Sequence, residues 1–433
     1  MVTNIYMKCD VCESIINLKW QVGHIERAPV SIVCAKCKTV LKFILITNQE
    51  DITIDMKSKN ATRVQGSNFD YIAETSSELL TYKITKQRLI QPGQTPFMRA
   101  SQILGFETYM EYQNDFLRGI NGYKEYMHVY HRINDLYYNC NFEYLGKQLK
   151  KYLKIDNLKE FTQIEILENL YKFNINYYAM FFKNNTLGNL NEENLRLMSI
   201  LRSDKEKKYE DFLLNFCTDK MLGELDSRLY NSINSILDNY YLFLPATMLC
   251  YVDPIKHPQI LNDYTLTTTD FSEIRHIYLT VYENLLKVYD VIILLNNIIE
   301  RDSYNCFPDE PKINGKAIES IEQFMRLTKG NKLKFLELRQ HFDNLMPDFE
   351  TKIRNAIGHE SWEYIPYEHK IVFYDERKSV IEEIYLLDYV YKCWLLLDKT
   401  IIIYKVLQDI KRHRMLTINN NAMLSGNIDS KSK

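Results

Sequence analysis

Hydrophobic and polar positions along the chain change period near residue 96. Before it, short β-branched and aromatic runs, Ile32–Val33 and Val40 to Thr47, stand between polar turns, which predicts strands. Residues 52–95 continue as short β-like runs. Gln91 to Pro96 (QPGQTP) reads as a linker, because two prolines and a glycine stop a helix. Beyond it, apolar residues recur at three- and four-residue spacing. Helices are predicted over Phe161–Phe182, Asn191–Cys217 and roughly Phe271–Arg301. Asp270 is the expected N-cap of the last, with Glu273 at the capping-box position. A break covers Tyr251-Val-Asp-Pro through His257-Pro258, and a loop covers Phe307–Gly315. Shorter helices are predicted near Lys316–Leu327, Asn331–Leu345 and from about Pro347 to Gly358. Trp362 to Tyr374 alternates like a hairpin, with its turn at Pro366–His369. A final helix is predicted from about Glu376 to Arg414, on Ile381, Ile384, Tyr385, Tyr391, Trp394, Leu395, Ile401 and Ile402. The tail from Thr417 is polar and is expected to fray. No internal repeat is evident. The expected fold is mainly α: a small β module at 1–50, a mixed linker region at 51–96, a helical middle at 97–269, a C-terminal helical bundle at 270–415 and a polar tail at 416–433.

Composition narrows this. The 433 residues are 46% apolar, 25% charged and 13% aromatic, which excludes a disordered chain and a disulfide-laced mini-protein. A net charge of −2 leaves nucleic-acid binding to local patches. Glycine is scarce, and neither G-x-x-x-x-G-K-[ST] nor G-x-G-x-x-G occurs, against a phosphate-loop enzyme. The start, MVTNIYMKCDVC, lacks a basic region followed by an apolar one. The most lipid-like stretch, Tyr385 to Leu407, carries Asp388, Lys392, Asp398 and Lys399, so it reads as a buried helix and no membrane is expected. A reducing, cytoplasmic location is the expectation.

Two C-x-x-C pairs, Cys9/Cys12 and Cys34/Cys37, lie 21 residues apart among strand-like sequence. In a reducing compartment such pairs are metal sites before they are disulfides. The two-residue spacer lets both sulfurs of a pair reach one ion at ~2.3 Å, and four thiolates close a tetrahedral shell. The expectation is a zinc ribbon with structural zinc and no catalytic metal. His24, between the pairs, is read as a loop residue. Lys8, Lys19, Trp20, Lys36, Lys38 and Lys42 are candidates for a basic, aromatic-bearing surface. A structural cap is the equal alternative. Cys140, Cys217, Cys250, Cys306 and Cys393 are read as small buried hydrophobes.

The segment Lys352-Ile-Arg354-Asn355-Ala-Ile-Gly358-His359-Glu360 pairs an arginine, a polar residue directly after it, and a histidine after four intervening residues. It resembles the R-x4–6-H signature of the HEPN superfamily (higher eukaryotes and prokaryotes nucleotide-binding domains), many of which are metal-independent ribonucleases. The wording RNAIGH, the position before a long terminal helix and the hairpin after the histidine are all typical of that family. The resemblance covers roughly Asp270 to Met415. It implies a HEPN-like helical bundle that pairs as a homodimer, and a role in abortive infection, anti-phage defence or as a toxin under an unknown trigger or inhibitor.

The chemistry can be argued from the residues. RNA breaks when its own 2′-OH attacks the neighbouring phosphate. Histidine suits the proton transfer because it titrates near neutrality. Arginine offers a planar fork of donors to phosphate oxygens. His359 is therefore the candidate general acid/base, Arg354 the phosphate clamp and Asn355 an orienting donor. Residues five apart on an ideal helix point ~140° from each other. Gly358 is expected to relieve this by a left-handed conformation that ends the helix early. Lys405, Lys411, Arg412 and Arg414, with His413, are candidate RNA-backbone contacts. His128, His131 and the paired tyrosines are read as packing residues. The rival readings are a non-catalytic RNA- or protein-binding module that uses the bundle to dimerise, and a zinc-ribbon DNA-binding regulator.

Overall fold

A computed structural model describes residues 1–48, 53–66, 68–155, 161–184, 186–335 and 351–429. The strands are β1 (Val2–Cys9), β2 (Ile15–Gln21), β3 (Arg27–Val33), β4 (Val40–Asn48), β5 (Thr53–Lys59), β6 (Ala61–Arg63), β7 (Tyr71–Ser76), β8 (Thr81–Tyr82), β9 (Tyr264–Thr265), β10 (Trp362–Ile365), β11 (Lys370–Tyr374) and β12 (Val380–Tyr385). The helices are α1 (Pro96–Leu104), α2 (Phe106–Asn121), α3 (Met127–Tyr138), α4 (Phe142–Leu153), α5 (Gln163–Tyr178), α6 (Thr186–Ser203), α7 (Glu206–Asp211), α8 (Asp219–Leu237), α9 (Tyr240–Thr247), α10 (Ile260–Asp263), α11 (Phe271–Arg301), α12 (Ile321–Met325), α13 (Lys329–Leu333), α14 (Thr351–Gly358) and α15 (Leu386–Asp429). The fold is mainly helical, with small sheets concentrated at the N-terminus.

The chain divides into two compact units, each assembled from three stretches: residues 1–120, 235–280 and 350–396 form the first, and residues 121–234, 281–349 and 397–433 the second. The helical middle and the C-terminal third therefore contribute to both, because α11 and α15 pass from one unit to the other.

In the first unit, strand order β6-β1-β2-β7 makes one sheet and β3-β4-β5 another. Alternate residues Ile5, Met7, Ile16, Leu18, Trp20, Val30, Ile32, Leu41, Phe43 and Leu45 form a shared apolar core, as expected where each strand has one buried face. The β module thus extends past residue 50: β6 and β7 belong to the sheet that β1 and β2 begin, and β2 pairs with β7 in parallel. Trp20 is 2% exposed and packs in this core, so it is no base-stacking platform. Thr95 caps α1, whose first residue is Pro96, so the QPGQTP segment is a turn inside one unit.

The expected hairpin forms, Trp362 opposite Phe373 and Ile365 opposite Lys370. A third strand, β12, follows it, where the final helix was expected to have begun. Ile381 and Ile384 belong to this strand, and α15 starts ten residues later than expected, at Leu386. It also continues to Asp429 through the polar tail. Phe271, at the start of α11, meets Trp362, Tyr364, Phe373 and Tyr389, which ties this sheet to the two long helices. The predicted bounds of α11 match those observed, and Asp270 caps it through Ser272 N at 2.9 Å. Expected helical residues 336–350 lie outside the described residues.

The second unit packs α3, α5 and α15 around a buried polar network. Tyr130 Oη meets Tyr178 Oη at 3.0 Å and donates to Asn234 at 2.9 Å. Asn134 and Asn174 exchange amide bonds at 3.0 Å, and Asn174 donates to Tyr404 Oη at 3.0 Å. Such networks are stable only when their members find partners. His131 joins this packing through Tyr230 at 3.4 Å.

Candidate functional sites

The four cysteines of the N-terminal pairs converge. Their sulfurs all lie within 4.8 Å of one another, with Cys9 to Cys37 at 3.7 Å and Cys12 to Cys34 at 3.5 Å. Four sulfurs at ~2.3 Å around one ion would sit ~3.8 Å apart, so the cluster can hold a single tetrahedral metal. Each pair occupies the turn of a hairpin, β1–β2 or β3–β4. The two turns are copies. Glu13 and Lys38, each following the second cysteine, are left-handed at φ 58° and 62°. Each donates its N–H to the carbonyl of the first cysteine at 2.9 Å. Cys9 N donates to Ser14 O and Cys34 N to Thr39 O, both at 2.9 Å. A hydroxyl two residues past the second cysteine approaches its sulfur: Ser14 Oγ to Cys12 at 3.0 Å, Thr39 Oγ1 to Cys37 at 3.3 Å. C-x-x-C-x-[ST] is therefore a short internal repeat, at 9–14 and 34–39, where none was expected. Burial pushes the Cys9 thiol up to about 12. At Cys34 burial acts the same way, but the Cys37 backbone N–H and the Ser14 hydroxyl outweigh it and bring the thiol down to about 6.

The Arg–His segment is solvent-presented. Asn355 and His359 are exposed and Arg354 is half-buried, while Ile353, Ala356 and Ile357 anchor α14 from its opposite face. Arg354 Nη1 donates to Asn355 Oδ1 at 3.0 Å, so the amide steadies the guanidinium. The expected break at Gly358 does not occur: helix α14 runs through it, and His359 N still donates to Asn355 O at 2.9 Å. The left-handed residue is Glu360, φ 55°, and Ser361 N closes the turn on Ala356 O at 2.7 Å. The chain then enters β10. Because the ladder persists to His359, Arg354 and His359 stay about 140° apart around the helix.

The candidate RNA contacts on α15 are mostly engaged internally. Lys411 is buried and its ammonium meets Asp226 Oδ2 and Tyr137 Oη, each at 2.7 Å. It is therefore a core ion pair and no phosphate ligand. Arg412 bonds Glu168, and Arg414 bonds Asp219 at 3.0 Å and the Leu213 carbonyl at 2.6 Å. Burial lowers the half-buried Lys405. Burial likewise lowers His413 to about 4, with Tyr209 Oη 3.2 Å from its ring. In the first unit, Lys8 lies 4.0 Å from Glu13, Lys42 3.3 Å from Asp270, and Lys38 stands over the Tyr367 ring. Cys217 and Cys393 are buried as expected, but Cys140 and Cys306 are exposed. Among the described residues, no helix is long and apolar enough to cross a membrane.

Comparison with known proteins gives no match to a protein family, a curated protein or a solved structure.

Proposed function

We propose that this chain is a metal-independent endoribonuclease of the HEPN kind, with a structural zinc ion on Cys9, Cys12, Cys34 and Cys37. The observation that carries the reading is the accessible end of α14, where Arg354, its bonded Asn355 and His359 meet solvent. His359 takes the 2′-OH proton and returns one to the leaving 5′-oxygen. Arg354 holds the charge gathering on the phosphorane. The products are a 2′,3′-cyclic phosphate and a 5′-hydroxyl, and DNA is spared for want of a 2′-OH. Since one helix directs the two side chains apart, a homodimer through this region supplies the arginine and histidine to a shared cleft. The zinc organises the hairpins and leaves no open position for substrate.

The test incubates the full chain with end-labelled RNA and DNA without divalent ions. Cutting of RNA alone, reduced at least ~100-fold by His359→Ala, supports the reading. His359 is exposed, so that variant keeps the fold. Retention of RNA without cutting under these conditions supports the non-catalytic binding module instead.

A further inference from the structure

The first unit carries a cleft of about 340 Å³ that the Arg–His segment does not use. Its floor is the face of the β3-β4-β5 sheet opposite the core. Leu41, Phe43 and Leu45 point inward, so Lys42 and Ile44 point the other way. Register places Ser31, Lys42 and Lys59 in one cross-strand row and Pro29, Ile44 and Lys57 in the next. The wall is the segment before α11, held to β3 by Ser31 N donating to Thr267 O at 2.7 Å.

That wall has an unusual hydroxyl. Thr267 Oγ1 meets Thr75 Oγ1 at 2.9 Å and Thr269 Oγ1 donates to Leu242 O at 2.6 Å. Thr268, between them and lining the cleft, is 3% exposed, and its Oγ1 has no hydrogen-bond partner among the described residues. A buried hydroxyl without a partner costs roughly 1–3 kcal/mol, and rotation of the Thr268 side chain toward the cleft would let a ligand complete it. Asp270 and Glu273 continue the wall, and Asp270 Oδ2 is 3.3 Å from Lys42.

We infer that this cleft binds a nucleoside monophosphate, either free or as the phosphorylated end of an RNA strand. Three features select that class together. Lys57 and Lys59 are exposed, sit two residues apart on one strand and both line the cleft, so together they offer positive charge to one anion. The wall carboxylates repel a ligand that is anionic throughout; Asp270 is already held by Ser272 and Lys42, and Glu273 is left to accept from hydroxyl or amine donors beyond the phosphate, as a ribose and base provide. Between them lie Pro29 and Ile44, an apolar strip for a flat ring. The volume holds one nucleotide and no more. The site is separate in residues from Arg354 and His359, so its failure would leave the nuclease reading standing, and the converse.

Equilibrium dialysis of the full chain against AMP, GMP, CMP and UMP tests this, with inorganic phosphate as comparison. Saturable binding of at least one nucleotide, about tenfold tighter than phosphate, is expected. The Lys57→Gln/Lys59→Gln double variant weakens it about tenfold, and Lys59→Arg alone does not. Thr268→Val weakens it about fivefold with no fall in Tm, because the hydroxyl satisfies nothing inside the protein. The double lysine variant changes exposed residues only, so it decides the matter even if Thr268→Val fails to fold. A short oligoribonucleotide with and without a 5′-phosphate distinguishes the sources: preference for the phosphorylated strand over free nucleotides identifies a strand end. No saturable binding of any nucleotide or strand, affinity equal to that of phosphate, or binding indifferent to these substitutions overturns the proposal.

Discussion

Two titratable side chains, the buried His369 in the first unit and the half-buried Asp398 in the second, pull stability in opposite directions with pH. His369, at φ 51° in the turn of the β10–β11 hairpin, is buried, and burial, with Lys83 adding to it, lowers it to about 3. Asp398 on α15 is raised by burial to about 7. Between pH ~3 and ~6.5 the unfolded chain binds more protons at His369, so stability rises with pH there. Between pH ~4 and ~7 the folded chain binds more at Asp398, so stability falls with rising pH. Each slope reaches at most ~1.4 kcal/mol per pH unit. The two offset in the native protein. His369→Asn, which tolerates the left-handed backbone and does not titrate, is expected to leave the falling limb, and Asp398→Asn the rising one. Chemical denaturation from pH 4 to 7 reads both; parallel profiles for wild type and variants would contradict the assignment. At the same scale, the Ser14 and Thr39 hydroxyls orient thiolates rather than bind metal. Ser14→Ala and Thr39→Val together are expected to cost about tenfold in zinc affinity by chelator competition.

At the level of elements, the end of α14 is where expectation and structure part. Gly358 keeps helical φ, and a Cβ there would meet nothing within 4 Å. Gly358→Ala should therefore stabilise the protein by about 1 kcal/mol, and Glu360→Gly, at the residue that is left-handed, by about 0.5 kcal/mol. A fall in Tm for Gly358→Ala would restore the early helix break. The sequence marked the glycine because glycine is the commonest helix stop, but the stop was set two residues on, by Ser361 folding back toward β10. Of the elements with long periodic patterns, α11 was legible at its expected bounds, whereas the helix expected over Asn191–Cys217 begins earlier, at Thr186, and breaks after Ser203 before α7 starts at Glu206. The strand β12 was not legible, because Val380 to Tyr385 continues without a break into helical spacing, and its pairing with β11 is tertiary. The convergence of Cys9, Cys12, Cys34 and Cys37 was legible from spacing. The Lys42–Lys59 row of the cleft was not, because it depends on the register of β4 and β5. Nor was the pairing of Lys411 with Asp226, which are 185 residues apart.

For the whole molecule, the decisive question is whether one chain or two make the proposed nuclease. The persisting helix at His359 makes this sharp, since a phosphate held by Arg354 of one copy lies on the wrong side of α14 for that copy's His359. Two copies related by a two-fold axis give two composite sites, each drawing the arginine from one protomer and the histidine from the other. Arg354→Ala and His359→Ala homodimers are then both inactive. Mixed and allowed to exchange, half of the dimers carry one variant of each kind. In such a dimer one composite site has lost both groups and the other is intact. Activity is expected to return to about a quarter of wild type, rising with the time given for subunit exchange. A chain that cuts alone regains nothing on mixing, whatever the exchange time, because no protomer in the mixture holds both side chains. Size measurement on the same mixture closes the argument. Recovery must track the population of mixed dimers, and a protein that stays monomeric at the assay concentration cannot produce it.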